Sequence, residues 1–270
     1  MVSQQLEVRP PRLSPARVAR TFNENIDAVD RRLRSFLEVG DAAAIHSLRG
    51  SMRRLEASYA LVPKRYRPKQ ARRYVHAARK VRRETNSLRD SDVILAALSS
   101  ITDTREYGPL IRSLQNSRAR SLKPVLRDAR AFADMKRPQL TEDDLRGATL
   151  QKRLASDIRR LRERVNRELA KFLKTHETET MHDLRKDSRR LRYALELSGG
   201  EDNDHTSKRL REIQNSLGAV RDDDLVIEYV RNAKPAGKSR LFFREKTAER
   251  HAKIEDFVTK QRSQGPLMDL

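Results

Sequence analysis

Hydrophobic residues recur every three or four positions along most of this chain, which is the spacing of one face of an α-helix. No stretch alternates β-branched and polar residues for long enough to predict a β-sheet. The pattern predicts eight helices, over about residues 14–38, 42–61, 70–98, 109–134, 150–174, 178–197, 204–232 and 238–262. The fifth helix shows the pattern most clearly, in a stripe of Leu154, Ile158, Leu161, Val165, Leu169 and Phe172.

Glycine and proline, 9 and 10 residues of the 270, separate these helical segments. Their positions predict breaks at residues 40–41, 63–68, 107–109, 138–147, 199–200 and 235–237. Pro124 falls inside the fourth segment, where its missing N–H and its ring predict a kink.

The two halves of the chain resemble each other when one is shifted onto the other. A shift of 136 residues aligns the second helix of each half and places His46 on His182. Further along, a shift of 132 residues aligns the third helices and places Arg89 on Arg221. The four-residue difference falls in the loop after the second helix, where length varies at little cost. The sequence therefore predicts one domain over residues 1–270, built from two four-helix repeats over residues 14–135 and 150–264.

The chain is strongly basic. It has 59 Lys and Arg against 38 Asp and Glu, a formal net charge of +21. Such a surface attracts polyanions through counterion release and electrostatic steering, so nucleic acids, anionic lipids and phosphate polymers are candidate ligands. Aromatic platforms for stacking bases are few, with no Trp, 7 Phe and 6 Tyr. We therefore expect recognition of charge and spacing rather than of bases.

The chain contains no cysteine, which excludes disulfides, thiolate metal sites, iron–sulfur clusters and cysteine nucleophiles. No apolar run approaches the roughly 18 residues of a membrane span. The N-terminal segment lacks the apolar stretch of a secretory signal. A cytoplasmic location without a membrane partner is therefore expected.

The second helix of each half carries basic residues along one edge. With His46 at 0° on a helical wheel, Arg53 falls at about 340° and Arg54 at about 80°, whereas Leu48 and Leu55 lie near the opposite edge. We expect the basic edge to face water or an anion, because several unpaired buried guanidiniums would cost too much free energy. The candidate phosphate contacts on these two helices are His46, Arg49, Arg53, Arg54, His182, Arg185, Lys186, Arg189 and Arg190.

The third helix of the first half also has a basic face, since Arg72, His76, Arg79 and Arg83 lie within about 60° of one another. A solvated face with diffuse counterions is the alternative explanation. The stripe recurs in two helices and in both halves, however, which favours an anionic ligand. The third helix of the second half is less basic, which leaves open how equally the halves contribute. The candidate contacts on the third helices are Arg72, His76, Arg79, Lys80, Arg83, Lys208 and Arg211.

The pattern H-x-x-R-x-x-x-R-R-L occurs twice, at residues 46–55 and 182–191, and the sequence Leu-Gly-Ala-Val-Arg-Asp-Asp-Asp follows at 217–224. These motifs resemble those of the CHAD family, the conserved-histidine α-helical domains. The resemblance extends over about residues 14–264, with a weaker third-helix motif at 89–92. It implies an all-α fold of two four-helix bundles related by an approximate internal two-fold axis, with a basic central pore or groove. It also implies binding of inorganic polyphosphate and association with polyphosphate granules.

Metal binding and catalysis are weaker alternatives. His46 and His182 have no second histidine four residues later, and their basic neighbours would repel a cation. The aspartates Asp90, Asp92 and 222–224 adjoin arginines, which we expect them to orient rather than to hold magnesium. The phosphate-cradling G-x-x-x-x-G-K-[ST], nucleophile-elbow and H-E-x-x-H motifs are all missing from the sequence. We therefore expect no catalytic residue, no metal site and no cofactor.

The leading hypothesis is a non-enzymatic module that binds inorganic polyphosphate. The second hypothesis is a nucleic-acid-binding protein without sequence preference, which would bind DNA, RNA and polyphosphate alike at matched charge and salt. Weak binding of nucleic acid is compatible with the first hypothesis as well, and so is the docking of a phosphate-metabolising protein to a granule. An enzyme that makes or degrades polyphosphate ranks last, because the sequence lacks a cluster of acidic metal ligands.

Overall fold

The computed structural model describes residues 13–100, 104–198, 202–233 and 238–265, and these residues form helices and connecting loops without a strand. The helices are α1 (Pro15–Val39), α2 (Ala42–Leu61), α3 (Lys69–Ser99), α4 (Thr104–Ala133), α5 (Leu150–Thr175), α6 (Thr178–Ser198), α7 (Asp202–Asn232) and α8 (Lys238–Gln264). Short 3-10 helices span Lys64–Tyr66 and Asp143–Leu145. The all-α class and the eight predicted helices are confirmed.

The start of α4 differs from the prediction. A break was expected at residues 107–109, but α4 begins at Thr104 and continues through Pro109. Tyr107 is 2% exposed and packs edge-on against Phe242, with 5.7 Å between the ring centroids. Burial of this apolar surface outweighs the backbone hydrogen bond that proline cannot donate. The helix also runs unbroken past Pro124, and the kink there stays a prediction.

The first helix of each half ends in the same way. Gly40 follows α1 with φ of 66° and donates its N–H to the Phe36 carbonyl, and His176 follows α5 with φ of 52° and donates to the Phe172 carbonyl. Both are left-handed helix caps, 136 positions apart as the repeat predicts. Glycine adopts this conformation without a Cβ penalty, whereas His176 incurs one.

Helix packing follows the same order in both halves. In the first half α1 packs on α2, α2 on α3 and α3 on α4; in the second half α5 packs on α6, α6 on α7 and α7 on α8. The halves meet mainly where α3 contacts α7 and where α2 contacts α6. The exact two-fold relation between two separate bundles stays a prediction. This packing brings arginines of α2, α3, α6 and α7 to the junction between the halves.

Buried apolar side chains fill two clusters. The larger one draws on all eight helices, and its members include the repeat-related pairs Phe36 and Phe172 and Leu48 and Leu184. The smaller one lies between α3, α4, α7 and α8 and includes Tyr107. Burial of these side chains is the main force that joins the two halves. None of the helices in the described ranges has the length and apolar character needed to cross a membrane.

Candidate anion-binding site

Arginines from both halves converge at the junction of α2, α3, α6 and α7. Burial, together with the nearby positive charge of Arg189, lowers the pKa of Arg53 to about 10. Burial also lowers the pKa values of Arg185 and Arg189, and the charge of Arg185 adds to the effect on Arg189. We call this group the central arginine cluster, and its members are Arg49, Arg53, Arg82, Arg89, Arg185, Arg189 and Arg221.

Several members of the cluster have unused hydrogen-bonding capacity. Arg53, Arg185 and Arg189 are half-buried, and within the described part of the chain none of them forms an ion pair or a hydrogen bond. The Nε of Arg53 is fully enclosed. A guanidinium carries five N–H donors and no acceptor, so these side chains present donors and positive charge that no described residue satisfies. Such an arrangement can accept the oxygen atoms of an anion.

Arg49 behaves differently from its repeat equivalent, Arg185. It is only 7% exposed, and its Nη1 donates to the Arg82 carbonyl at 2.6 Å and to the Thr85 hydroxyl at 3.0 Å. The expectation that Arg49 faces water or an anion is therefore not met, because these bonds join α2 to α3. Leu217 stands where the repeat would place Thr85, so Arg185 has no equivalent hydroxyl acceptor.

Carboxylates flank the cluster differently in the two halves. In the first half Glu56 pairs with Arg82 at 2.6 Å and with Arg79 at 3.3 Å. In the second half Arg192 occupies the position of Glu56, and Gln214 occupies that of Arg82. The Nε of Arg192 donates to Gln214 at 3.3 Å. At one edge of the site, a carboxylate paired with two arginines in the first half is thus replaced by an arginine bonded to a neutral amide in the second half.

A second group of contacts stabilises the same edge in the second half. Glu196 pairs with Arg192 at 2.5 Å and lies 3.7 Å from Arg54 of the other half. The guanidiniums of Arg54 and Arg192 lie 5.9 and 4.7 Å from the centroid of the Tyr193 ring. The contacts of Arg54 with Glu196 and Tyr193 hold α2 against α6.

The aspartates of α3 and α7 orient arginines, as the sequence predicts. Arg89 pairs with Asp222, and the neighbouring Asp90 has a pKa raised by burial, against the lowering effect of Arg221. Arg221 thus lies near Asp90. The repeat aligns Arg221 with Arg89 and Asp90 with Asp222, so these two residues are the counterpart of the Arg89–Asp222 pair. At least part of the positive charge at this end of the cluster is balanced within the protein.

Two further aspartates hold the outer helices. Asp92 pairs with Arg118, and at the repeat-related positions Asp224 pairs with Arg250. Both links are 2.5 Å long, and all four side chains are less than a fifth exposed. They fix α4 to α3 and α8 to α7, so the backbone that carries the cluster is braced similarly in both halves.

The other candidate residues from the sequence lie on the exposed surface rather than in the cluster. Six of them form no ion pair with any described residue, namely His46, Arg72, His76, Arg83, His182 and Arg211. Four have carboxylate partners at 2.6 to 3.7 Å, in the pairs Lys80–Asp128, Lys186–Asp183, Arg190–Asp187 and Arg54–Glu196. Arg79 is bound to Glu56, and Lys208 is exposed.

Three members of the cluster are not among the candidates from the sequence. The sequence does contain a signal that could have identified Arg89 and Arg221, because the repeat aligns them and both adjoin aspartates. Arg82 lies on the side of α3 that faces α2, outside the stripe formed by Arg79 and Arg83. Only the opposite charge of Glu56, on the neighbouring helix, distinguishes Arg82 from the other arginines of α3. In the part of the chain that the structure describes, His, Asp and Glu side chains do not gather in a group of three that could hold a metal ion.

Comparisons with known proteins agree with this architecture. The structure is similar to the crystal structure of the CHAD domain from the plant Ricinus communis, with a TM-score of 0.57 and 16% sequence identity, covering 96% of this chain and 91% of that chain. A search of curated proteins gave no match. The sequence matches the model of the CHAD domain over residues 20–201, which extends from α1 to just beyond α6. Since this match spans more than half of its residues, the chain belongs to the CHAD domain family.

Proposed function

We propose that the chain binds inorganic polyphosphate at the central arginine cluster and does not alter it chemically. The observation that carries this proposal is the convergence of Arg53, Arg185 and Arg189, half-buried and without carboxylate partners. Their mutual repulsion and desolvation cost free energy, which a bound polyanion would offset. Each guanidinium fork can engage two phosphate oxygens at once.

Two observations favour polyphosphate over nucleic acid as the ligand. Polyphosphate is a chain of nearly uniform negative charge, and the cluster offers charge and N–H donors with few exposed aromatic rings. Tyr193, the tyrosine beside Arg53 and Arg189, is only 7% exposed and is covered by Arg54 and Arg192, so it offers no open face for a base. Membership of the CHAD family supports the same choice. Location at polyphosphate granules would follow from this affinity.

A competition titration tests the choice of ligand. Labelled long-chain polyphosphate would be displaced by unlabelled polyphosphate, duplex DNA and RNA, each at equal phosphate concentration and fixed near-physiological salt. We expect polyphosphate to compete at least about tenfold better, a difference of about 1.4 kcal/mol. Equal competition by all three would instead favour the nucleic-acid hypothesis.

Paired variants test the site. Arg53→Gln with Arg189→Gln removes two charges from the cluster, and Arg120→Gln with Arg159→Gln removes two from exposed positions on α4 and α5. We expect the first pair to weaken polyphosphate binding by roughly tenfold or more, because charged hydrogen bonds are lost. Equal effects of the two pairs would mean that binding depends only on net charge.

A phosphate-release assay tests the absence of catalysis. We expect no release of orthophosphate when the wild-type protein is incubated with polyphosphate and magnesium. Magnesium-dependent release that disappears in the Arg53→Gln, Arg189→Gln variant would overturn the non-enzymatic part of the proposal.

A further inference from the structure

A second group of arginines surrounds Tyr59 at the C-terminal end of α2. Tyr59 is 7% exposed, with its ring against Phe22 and the Arg67 guanidinium 4.6 Å from the ring centroid. The Tyr59 hydroxyl is fully enclosed and has no hydrogen-bond partner among the described residues. A buried hydroxyl without a partner costs free energy, so its retention requires a reason.

The arginines at this end of α2 come from three parts of the chain. Arg67 donates to the Val62 carbonyl at 2.7 Å and to the Ala60 carbonyl at 3.2 Å. Arg153, from the second half, donates to the same Ala60 carbonyl at 3.4 Å. These bonds satisfy the last carbonyls of α2 and hold both guanidiniums in place, yet they use only some of the five donors on each.

Arg72 and Arg79 complete the group from α3. Burial raises the pKa of Tyr59, while the charges of Arg67, Arg72 and Arg79 lower it, so the positive charge of all three acts on the phenol. Arg79 is bound to Glu56 at 3.3 Å, whereas Arg72 is exposed and forms no ion pair with a described residue.

The donors around Tyr59 define the chemistry of a ligand. Guanidiniums supply N–H donors and positive charge, and the phenol supplies an O–H donor that its surroundings leave unused. A phosphate group fits this set because it carries several acceptor oxygens and up to two negative charges. A carboxylate has fewer oxygens and a single charge.

We propose that Tyr59, Arg67, Arg72 and Arg153 form a second anion site, which binds a phosphate group such as free phosphate or the terminal phosphate of a larger anion. The site is distinct from the central arginine cluster. Along α2, Glu56 lies between Arg53 and Tyr59, and its carboxylate pairs with Arg79 and Arg82. The second site stands on its own residues and does not depend on the proposed binding of polyphosphate.

Tyr59→Phe is the first test, because it removes the hydroxyl and keeps the ring. The variant is made in the Arg53→Gln, Arg189→Gln background, so that phosphate bound by the central cluster does not contribute. Thermal unfolding is measured with and without inorganic phosphate. We expect the ligand-free variant to melt at or above the temperature of its parent, because an unpaired donor is gone, and the phosphate-induced rise to shrink.

Calorimetric titration with inorganic phosphate measures the same effect as affinity, and we expect Tyr59→Phe to weaken it by roughly tenfold. Arg72→Gln should weaken it as well, whereas Arg73→Gln, the adjacent exposed arginine on α3, should not. An unchanged affinity in Tyr59→Phe would overturn the proposal, and so would a lower melting temperature without phosphate, since the hydroxyl would then already be bonded.

Parallel titrations identify the source of the phosphate group. Inorganic phosphate, glycerol phosphate and tripolyphosphate are compared, with acetate as the control for charge alone. Tighter binding of glycerol phosphate or tripolyphosphate than of inorganic phosphate would assign the site to the terminal phosphate of a larger anion, and the reverse order to free phosphate. Acetate that binds as tightly as phosphate would overturn the assignment to a phosphate group.

Discussion

The Nη2 atom of Arg89 lies 2.9 Å from both carboxylate oxygens of Asp222, which is 133 residues away in the sequence. The contact links α3 to α7 and therefore joins the two halves of the chain. Asp222 also raises the pKa of Arg185, against the larger lowering by burial. One carboxylate thus both holds the junction together and reduces the positive charge available to a ligand.

Asp222→Asn is expected to raise polyphosphate affinity while lowering stability. The Asp222 side chain is 38% exposed, so we expect a loss of about 1 kcal/mol in the free energy of unfolding. Affinity should rise because Arg89 and Arg185 lose a competing carboxylate. Urea denaturation and a binding titration measure the two effects. Asp143→Asn, at a highly exposed position, makes the same change in net charge and should alter neither.

Arg49→Gln and Arg185→Gln are expected to differ although the repeat relates the two positions. Arg49→Gln should destabilise the fold by about 1–3 kcal/mol, because it breaks the buried bonds to Arg82 and Thr85. Arg185→Gln should leave stability unchanged or higher, because it removes a desolvated charge, and should weaken polyphosphate binding. Chemical denaturation and titration of both variants test this. Equal losses of stability would contradict the division into a structural and a ligand-facing arginine.

Polyphosphate binding is expected to take up protons near pH 10. The pKa of Arg53 in the folded protein is lowered from its ordinary value to about 10, so its charged form costs free energy at neutral pH. That cost is relieved as pH rises through about 10 towards the ordinary pKa of an arginine. A bound polyanion stabilises the charged form and raises this pKa again, which draws in protons. Calorimetry in two buffers of different ionisation enthalpy measures the uptake, and Arg53→Gln should reduce it. Identical uptake in the variant would show that other groups are responsible.

Arg118→Gln and Arg250→Gln are expected to destabilise the protein by similar amounts. Their pairs with Asp92 and Asp224 occupy repeat-related positions and are similarly buried. Loss of either arginine leaves a mostly buried carboxylate unpaired, so we expect about 2–4 kcal/mol for each. Urea denaturation of the two single variants provides the comparison. An unchanged free energy of unfolding in one variant would mean that only the ion pair of the other half stabilises the fold.

The helices could be predicted closely because their apolar spacing is long and regular, as in α5. The start of α4 could not, because the Gly108-Pro109 dipeptide is a strong local break signal. Only the tertiary contact between Tyr107 and Phe242 shows why the helix continues. Local sequence preferences determine most helix ends in this protein, but long-range packing overrides them at the start of α4.

The candidate site was predictable in part, for an equally physical reason. A helical wheel identifies a basic edge, as it does for Arg53 and Arg189, but does not show which neighbour that edge meets. Arg49 lies on the same edge and is nevertheless bonded to α3, because Thr85 and the Arg82 carbonyl stand opposite it. Whether an arginine on the basic edge is bonded within the protein depends on the residues of the neighbouring helix. The sequence of one helix alone therefore cannot predict it.

The replacement of Glu56 and Arg82 by Arg192 and Gln214 at the related positions means that each half brings a different pair of residues to the edge of the central arginine cluster. A chimaera built from two first halves would repeat the Glu56–Arg82 pair and would lack the Arg192–Gln214 contact. The two halves are therefore complementary rather than equivalent at this edge, and the cluster is a property of the whole chain.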